Sequence, residues 1–255
     1  MAQMPDVRIH VDKFDLMIAR RGRDVKWQQA ILCSCWSDSG QPNYQCLACH
    51  GKGYIYDDPV ISRALVTSIT ANKEFEETMG VFDVGDAVMT VPKNVYAPMV
   101  GPNGTTTYIY SHPNPMYNIG MYDLVTLLDD EYKTSELVVR GLDWYGKPAD
   151  TLLNEDVTEI ITIRKMDPQT GEVVKFTEGV DFMVNGNKIE WLGVHPNEPN
   201  SGEKYSVTYK HRPVYIVLTN LPKPRHQDGQ DLPRYVALRY RAGGFNKHEL
   251  NHDNS

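Results

Sequence analysis

The sequence contains no cysteine outside one short window: its four cysteines lie between positions 33 and 49 of 255. It also has no apolar run of about eighteen residues, so we expect no membrane-spanning segment and no membrane partner. Catalytic signatures such as a phosphate-binding glycine loop, GxSxG or HExxH are missing too. We therefore expect a protein that is not an enzyme, and we assign no catalytic residue.

Positive charge is also scarce. The chain has 26 Lys and Arg against 33 Asp and Glu, a net charge of −7, which disfavours a general nucleic-acid binder. One basic patch is the exception, and its members are candidates for lining a DNA channel: Arg20, Arg21, Arg23 and Lys26. A ring of subunits would repeat this patch around its channel and attract phosphates. The alternative interpretation is a set of solvated turn residues.

The cysteines form two closely spaced pairs, Cys33 with Cys35 and Cys46 with Cys49. Thiolates are soft ligands, and four of them satisfy a tetrahedral Zn²⁺ ion. Gly51 and Gly53 follow the second pair and complete a CxxCxGxG pattern, in which positive φ angles turn backbone N–H groups towards the sulfurs. We predict a structural Zn²⁺ site, because four protein ligands leave no coordination position for a substrate.

Other interpretations of the cysteines stay open at this point. Two disulfides are one, although no signal peptide precedes the cluster and we expect folding in a reducing cytosol. Four unligated core cysteines and a redox-active CxxC dithiol are two more. His50 could also replace one of the cysteines as a ligand.

Short strand-like segments with turn residues every eight to twelve positions predict an all-β fold. We expect a small β-barrel or sandwich domain over residues 1–140, with a four-cysteine zinc-binding loop at 33–53 and a long proline-rich loop or irregular hairpin at 92–118. A second, β-sandwich-like domain is expected over 141–242, and a flexible tail over 243–255. Alternation of apolar residues over 7–11 and 14–18 predicts strands at the N-terminus, with a short helix over 12–18 as the alternative.

Two stretches of the sequence also resemble known families. The first combines Phe14, the Gly22-to-Trp27 segment, both cysteine pairs with the two glycines, and strands around Gly85-Asp86 and Gly120 to Asp123. It resembles structural proteins of tailed bacteriophages, most closely those of the neck, where head-closure (stopper-like) or connector rings join portal to tail. The second, a Gly179-Val-Asp181-Phe turn before the Ile189-Glu-Trp191 strand, is similar to segments of phage virion modules.

The resemblance implies a ring-forming subunit of six or twelve copies in the virion, assembled in the host cytoplasm. Its partners would be portal or adaptor proteins and tail proteins, with non-specific contact to packaged DNA. Tail-terminator, collar and baseplate subunits are alternatives within the same class. The CxxCxGxG half-site is similar to the zinc region of DnaJ-type chaperones, so a zinc-dependent adaptor or chaperone-like binding module is an alternative from another class.

Overall fold

The computed structural model of the chain describes residues 11–36, 40–49, 51–68, 85–141, 149–166, 170–220, 226–227 and 230–241. The described residues divide into two compact units. The first comprises residues up to Asp129 and then Tyr215–Tyr240, and the second comprises Asp130–Val214 and continues from Arg241. Strands dominate both units, which confirms the predicted all-β class.

The first unit begins with its one described α-helix. Its elements in chain order are α1 (Val11–Arg21), β1 (Arg23–Gln28), β2 (Ala30–Leu32), β3 (Tyr54–Tyr56), β4 (Val60–Ser68), β5 (Ala87–Val91), β6 (Asn94–Val100), β7 (Thr106–Pro113), a 3₁₀ helix (Pro115–Asn118) and β8 (Leu124–Leu127).

The second unit contains β9 (Tyr132–Val139), β10 (Ala149–Thr151), β11 (Val157–Met166), β12 (Val173–Phe176), β13 (Phe182–Asn185), β14 (Lys188–Trp191) and β15 (Lys204–His211). The chain then returns to the first unit with β16 (Val214–Asn220), β17 (His226–Gln227), β18 (Gln230–Asp231) and β19 (Arg234–Tyr240).

Six strands of the first unit close into a barrel in the order β1-β4-β5-β19-β16-β8. Alternate residues of each strand point inwards, so Val25, Met89, Val125, Val217 and Leu238 are fully buried in one core. The described part of this unit also holds three separate two-stranded ribbons, β2–β3, β6–β7 and the short β17–β18. The first two ribbons carry the features that concern function.

The second unit consists of two sheets, with strand orders β10-β14-β13 and β12-β11-β15-β9. Ile163 and Val207 of the larger sheet share a core cluster with Ile189 and Trp191 of the smaller one. The two-residue turn between β13 and β14 is Gly186-Asn187, and Gly186 has a φ of 62°. The sandwich-like arrangement expected from the sequence is thus present.

The predicted division into two consecutive domains is wrong, because the first unit is built from two separate segments of the chain. The second unit starts at Asp130, and β16 and β19, expected in a C-terminal domain, belong to the barrel. The physical reason is closure: β19 pairs with β5, whose sequence lies far upstream, and hydrophobic periodicity carries no information about such pairing. The predicted tail over 243–255 lies outside the described residues.

The predicted N-terminal strands are also wrong where they can be compared. Residues 7–10 lie outside the described part, and residues 14–18 belong to α1. The buried positions of α1 are Asp15, Ile18 and Ala19, a spacing of three to four that marks one helix face. The alternative short helix over 12–18 was therefore correct in type.

Within the described residues, no helix has the length and apolarity needed to cross a membrane.

Candidate metal centre

The four cysteine sulfurs lie together at the end of the β2–β3 ribbon. One potential ligand atom from each of Cys33, Cys35, Cys46 and Cys49 falls within 4.8 Å of all the others. The Cys33 and Cys46 sulfurs are 3.7 Å apart, and those of Cys35 and Cys49 are 3.5 Å apart. A tetrahedron with Zn–S bonds of about 2.3 Å has edges of about 3.8 Å, whereas a disulfide is about 2.05 Å. These two distances match edges of a metal tetrahedron rather than disulfide bonds, and none of the four cysteines forms a disulfide.

The ribbon and the glycines hold this arrangement. The N–H of Cys33 donates to the carbonyl of Gly53 at 2.9 Å, which places the first cysteine pair opposite the end of the second knuckle. The N–H of Gly53 points at the sulfur of Cys49 at 3.4 Å. Gly51 and Gly53 have φ angles of 77° and 79°, so the left-handed conformation predicted for both is present.

Gly53 is needed for space as well as for conformation. A Cβ atom there would lie 2.9 Å from Cζ2 of Trp36, and the indole N–H of Trp36 donates to the Gly53 carbonyl at 2.6 Å. Trp36 therefore covers the glycine side of the cluster. Trp27, in contrast, packs in the barrel core.

The thiols differ in their electrostatic surroundings. Burial raises the pKa of Cys35 to about 12, and its hydrogen bond with Cys49 adds to the rise. The backbone N–H groups of Cys49 and Ala48 lower the pKa of Cys46 to about 7. Since the thiolate is the form that binds metals, Cys46 is better prepared to act as a ligand than Cys35.

An aromatic chain joins the cysteine loop to the barrel. The Trp36 ring meets Tyr54 edge-on at 6.0 Å between centroids, and Tyr54 stacks on Tyr122 at 4.7 Å. Tyr122 has a φ of 70°, the left-handed conformation that a residue with a Cβ adopts only under constraint. Its N–H donates to the carbonyl of Val217 in the barrel at 2.8 Å, which supplies that constraint.

Asp123, the next residue, was read from the sequence only as part of a strand. Its carboxylate is buried and accepts three hydrogen bonds of 2.8 Å, from the indole of Trp27 and the backbone N–H groups of Ala30 and Gly120. Ala30 opens the β2–β3 ribbon, so Asp123 orients the base of the cysteine loop. The only sequence signal was an aspartate directly before an apolar strand.

The four DNA-channel candidates are only partly brought together. Arg20 and Arg21 form the exposed last turn of α1, and Arg23 is exposed at the start of β1. Lys26 is three positions further along the strand, and successive side chains of a strand alternate, so it faces the side opposite Arg23. The Arg20 guanidinium lies over the Tyr108 ring at 5.7 Å. Basic side chains at a helix C-terminus also stabilise the helix dipole.

Arg63 is a basic residue that sequence reasoning missed. Its guanidinium donates to the carbonyls of Ala19 and Gly22 at 2.8 Å each, and its Nε lies 3.0 Å from the Asp24 carboxylate. These carbonyls belong to the end of α1, where backbone acceptors lack helical partners. Arg63 thus fixes the basic turn to β4.

His50, the alternative ligand, lies outside the described residues. The described side chains form a complete set of four sulfur ligands without it.

The fold and site together define an all-β protein with a closed barrel and a tetracysteine cluster that can hold a metal ion. Residues 103–220 match a family described as "Domain of unknown function (DUF4815)". The match covers less than half of the chain, includes most of the described second unit and excludes the cysteines. No curated protein matches the chain.

Proposed function

We propose that the cysteine cluster holds a structural Zn²⁺ ion. Two sulfur–sulfur distances support this, since 3.7 and 3.5 Å equal the edge of a zinc–thiolate tetrahedron to within about 0.3 Å, and all four sulfurs lie within 4.8 Å of one another. Four thiolates complete the coordination sphere, so the ion would stabilise the loop between Leu32 and Tyr54 and not activate a substrate. Among the described residues of this loop, Tyr44 and Leu47 are 70% and 71% exposed, so these two apolar residues contribute little burial to its stability.

Elemental analysis of protein purified under reducing conditions tests the ion directly. We expect one zinc per chain. Iron at the same stoichiometry would overturn the identity of the ion, since a tetrathiolate site also accepts iron. Protein without any bound metal, and with unchanged stability in the presence of a strong chelator, would overturn the site itself.

For the whole chain we propose a structural role in the virion of a tailed phage, as a ring-forming neck subunit of the head-closure or connector type. The observation that carries this proposal is a closed β-barrel that bears additional two-stranded ribbons, one of which carries the cysteine cluster. Such ribbons offer contact surfaces on a rigid scaffold, which is what a subunit bound to neighbours above and below needs. The sequence resemblance to neck proteins supports the same conclusion.

In this role the partners are further copies in a ring of six or twelve, portal or adaptor proteins on one side and tail proteins on the other. Arg20, Arg21 and Arg23 would face the DNA channel and contact phosphates without reading sequence. Lys26 would contribute less, because it points to the other face of β1. Tail-terminator, collar and baseplate positions remain alternatives in the same class.

Electron microscopy of the purified chain with its portal complex tests this role. We expect closed rings that cap the portal, and a sixfold or twelvefold symmetry axis along the channel. A chain that stays apart from portal and tail proteins at every concentration would contradict the proposal.

A zinc-dependent adaptor is the second candidate, favoured by the exposed Tyr44 and Leu47 beside the CxxCxGxG knuckle. It predicts a chain that binds unfolded polypeptide through this loop. Substituting both side chains by Ser would abolish such binding while leaving ring formation intact, which separates the two candidates.

A further inference from the structure

The β6–β7 ribbon lacks charge along its whole length. Residues 94–113 contain no Asp, Glu, Lys or Arg, although charged residues make up 23% of the chain and about five would be expected in a stretch of 20. The ribbon is nevertheless exposed: Met99, Val100, Ile109 and Tyr110 have 50%, 70%, 48% and 54% of their surface accessible. Exposed apolar surface without charge on this scale marks a contact surface.

The two edges of this ribbon differ in what they offer a partner. The Gly101 N–H donates to the Thr105 carbonyl at 2.9 Å, and antiparallel pairs alternate between bonded and non-bonded positions. The alternation starts from the bonded pair Gly101–Thr105. It makes Met99–Thr107 and Ala97–Ile109 bonded pairs and Pro98–Tyr108 a non-bonded pair. Pro98 therefore occupies an outward position of β6, where its missing N–H blocks pairing.

The outer edge of β7 has no such block. Thr106, Tyr108 and Tyr110 direct their backbone N–H and C=O groups outwards, and within the described part of the chain β7 pairs only with β6. Proteins protect exposed edges with charges or prolines. The equally long edge strand β9 carries Lys133 and Glu136, but β7 has neither device before its final residue, Pro113.

We propose that the outer edge of β7 pairs antiparallel with β7 of a second copy of this chain. The resulting sheet has the order β6-β7-β7-β6, centred on Tyr108 of each copy. In this register Thr106 lies opposite Tyr110 and Thr107 opposite Ile109, and such aromatic and β-branched pairs stabilise a sheet.

Charge argues for a second copy as the occupant. A two-fold contact places the same segment of two copies side by side, so any charged residue in that segment lies near a like charge of the other copy. The chain as a whole carries −7, so two copies repel each other, and a contact through an uncharged surface adds least to this repulsion. The β7 edge is such a surface. Pro98 also blocks the outer edge of each β6, so growth stops at two copies and no open fibre forms.

This contact goes beyond the proposed ring, because a two-fold contact joins two copies and closes there. Its failure would leave the ring proposal standing, and a failed ring would leave the dimer standing.

Residue-resolved amide exchange of the full chain at low and high protein concentration tests the two-fold contact. We expect concentration-dependent protection of the amides of Thr106, Tyr108 and Tyr110. The amides of Thr107 and Ile109 already bond to β6 and should change little.

Two variants complete the test. Thr106→Pro removes one outward N–H, as Pro98 does in β6, and Ile109→Lys places a charge on the joined sheet. Each should weaken dimerisation, measured by sedimentation equilibrium, by about tenfold or more. Val180→Lys is the matched control, since Val180 is exposed in a turn of the second unit and should leave the dimer unchanged. Monomeric wild-type chain at all concentrations would overturn the proposal. So would a dimer whose β7 amides stay unprotected, or protection that arises only with another protein.

Discussion

The buried carboxylate of Asp123 accepts a 2.8 Å hydrogen bond from the indole N–H of Trp27. Through the same carboxylate it also holds the N–H of Ala30, the first residue of the ribbon that carries the cysteines. The Asp123 side chain thus connects the barrel core to the cysteine loop. It lies 96 positions from Trp27 in the sequence. The loop is therefore anchored at two places, by this carboxylate and by the Tyr54–Tyr122 stack.

We expect Asp123→Ala to lower the free energy of unfolding by about 3 kcal/mol or more. Three donors would lose a charged acceptor, and hydrogen bonds to charged groups contribute about 1.5–3 kcal/mol each. Urea unfolding measures the change. The matched control is Asp58→Ala, since Asp58 is an exposed carboxylate between β3 and β4. Equal stability of the two variants would contradict the anchoring role.

Cys46→Ser should abolish metal binding and lower the melting temperature, because losing one ligand removes most of the coordination free energy that orders the loop. Metal content per chain and thermal unfolding measure both effects. Gln45→Ser changes the neighbouring exposed residue and should behave as wild type. A chelator should destabilise the wild type but not Cys46→Ser, and the opposite pattern would rule out a structural metal.

Gly53→Ala should destabilise the cysteine loop for two reasons, a positive φ and a Cβ 2.9 Å from the Trp36 ring. The conformational part alone is about 1–2 kcal/mol. Gly104→Ala isolates that part, since Gly104 has a φ of 72° with nothing within 4 Å of the added Cβ. We expect a larger loss for Gly53→Ala in unfolding measurements, together with weaker metal binding. Identical losses would show that the Trp36 contact adds nothing.

His211 predicts a pH dependence of the second unit. Burial lowers its pKa below the ordinary 6.5, although the Arg212 carbonyl and Asp156 oppose the shift. The Arg212 carbonyl, 3.2 Å from Nδ1, can only accept, so Nδ1 carries the proton and Nε2 accepts from the Thr134 hydroxyl at 3.0 Å. The folded protein therefore holds a neutral imidazole.

Above pH 6.5 this imidazole is neutral in both folded and unfolded chains, and its contribution to stability is complete. As the pH falls through 6.5, the unfolded chain takes up a proton first. The free energy of unfolding then decreases, by at most about 1.4 kcal/mol per pH unit, until the folded pKa is passed. His211→Gln should remove this part of the pH dependence, whereas His112→Gln, at an exposed position, should keep it. Urea titrations from pH 7.5 to 4.5 decide between these outcomes.

The sequence alone determined the all-β class and which four cysteines come together in a cluster that can hold a metal ion. Both depend on local signals: alternation and turn residues for the strands, and cysteine spacing with Gly51 and Gly53 for the site. Because a CxxCxGxG knuckle sets its own backbone conformation, the cysteines of a candidate metal site can be recognised without knowing the rest of the fold.

Only the tertiary structure decided how the chain closes its barrel and what holds the cysteine loop. β16 and β19 belong to the first unit although all of β9–β15 precede them in the chain. Asp123 bonds to Trp27, which lies 96 positions earlier in the sequence. Likewise, Asp15, Ile18 and Ala19 form a buried helix face where alternation had suggested a strand. Pairing between distant segments depends on the summed free energy of many long-range contacts, and a local pattern of residues does not contain it.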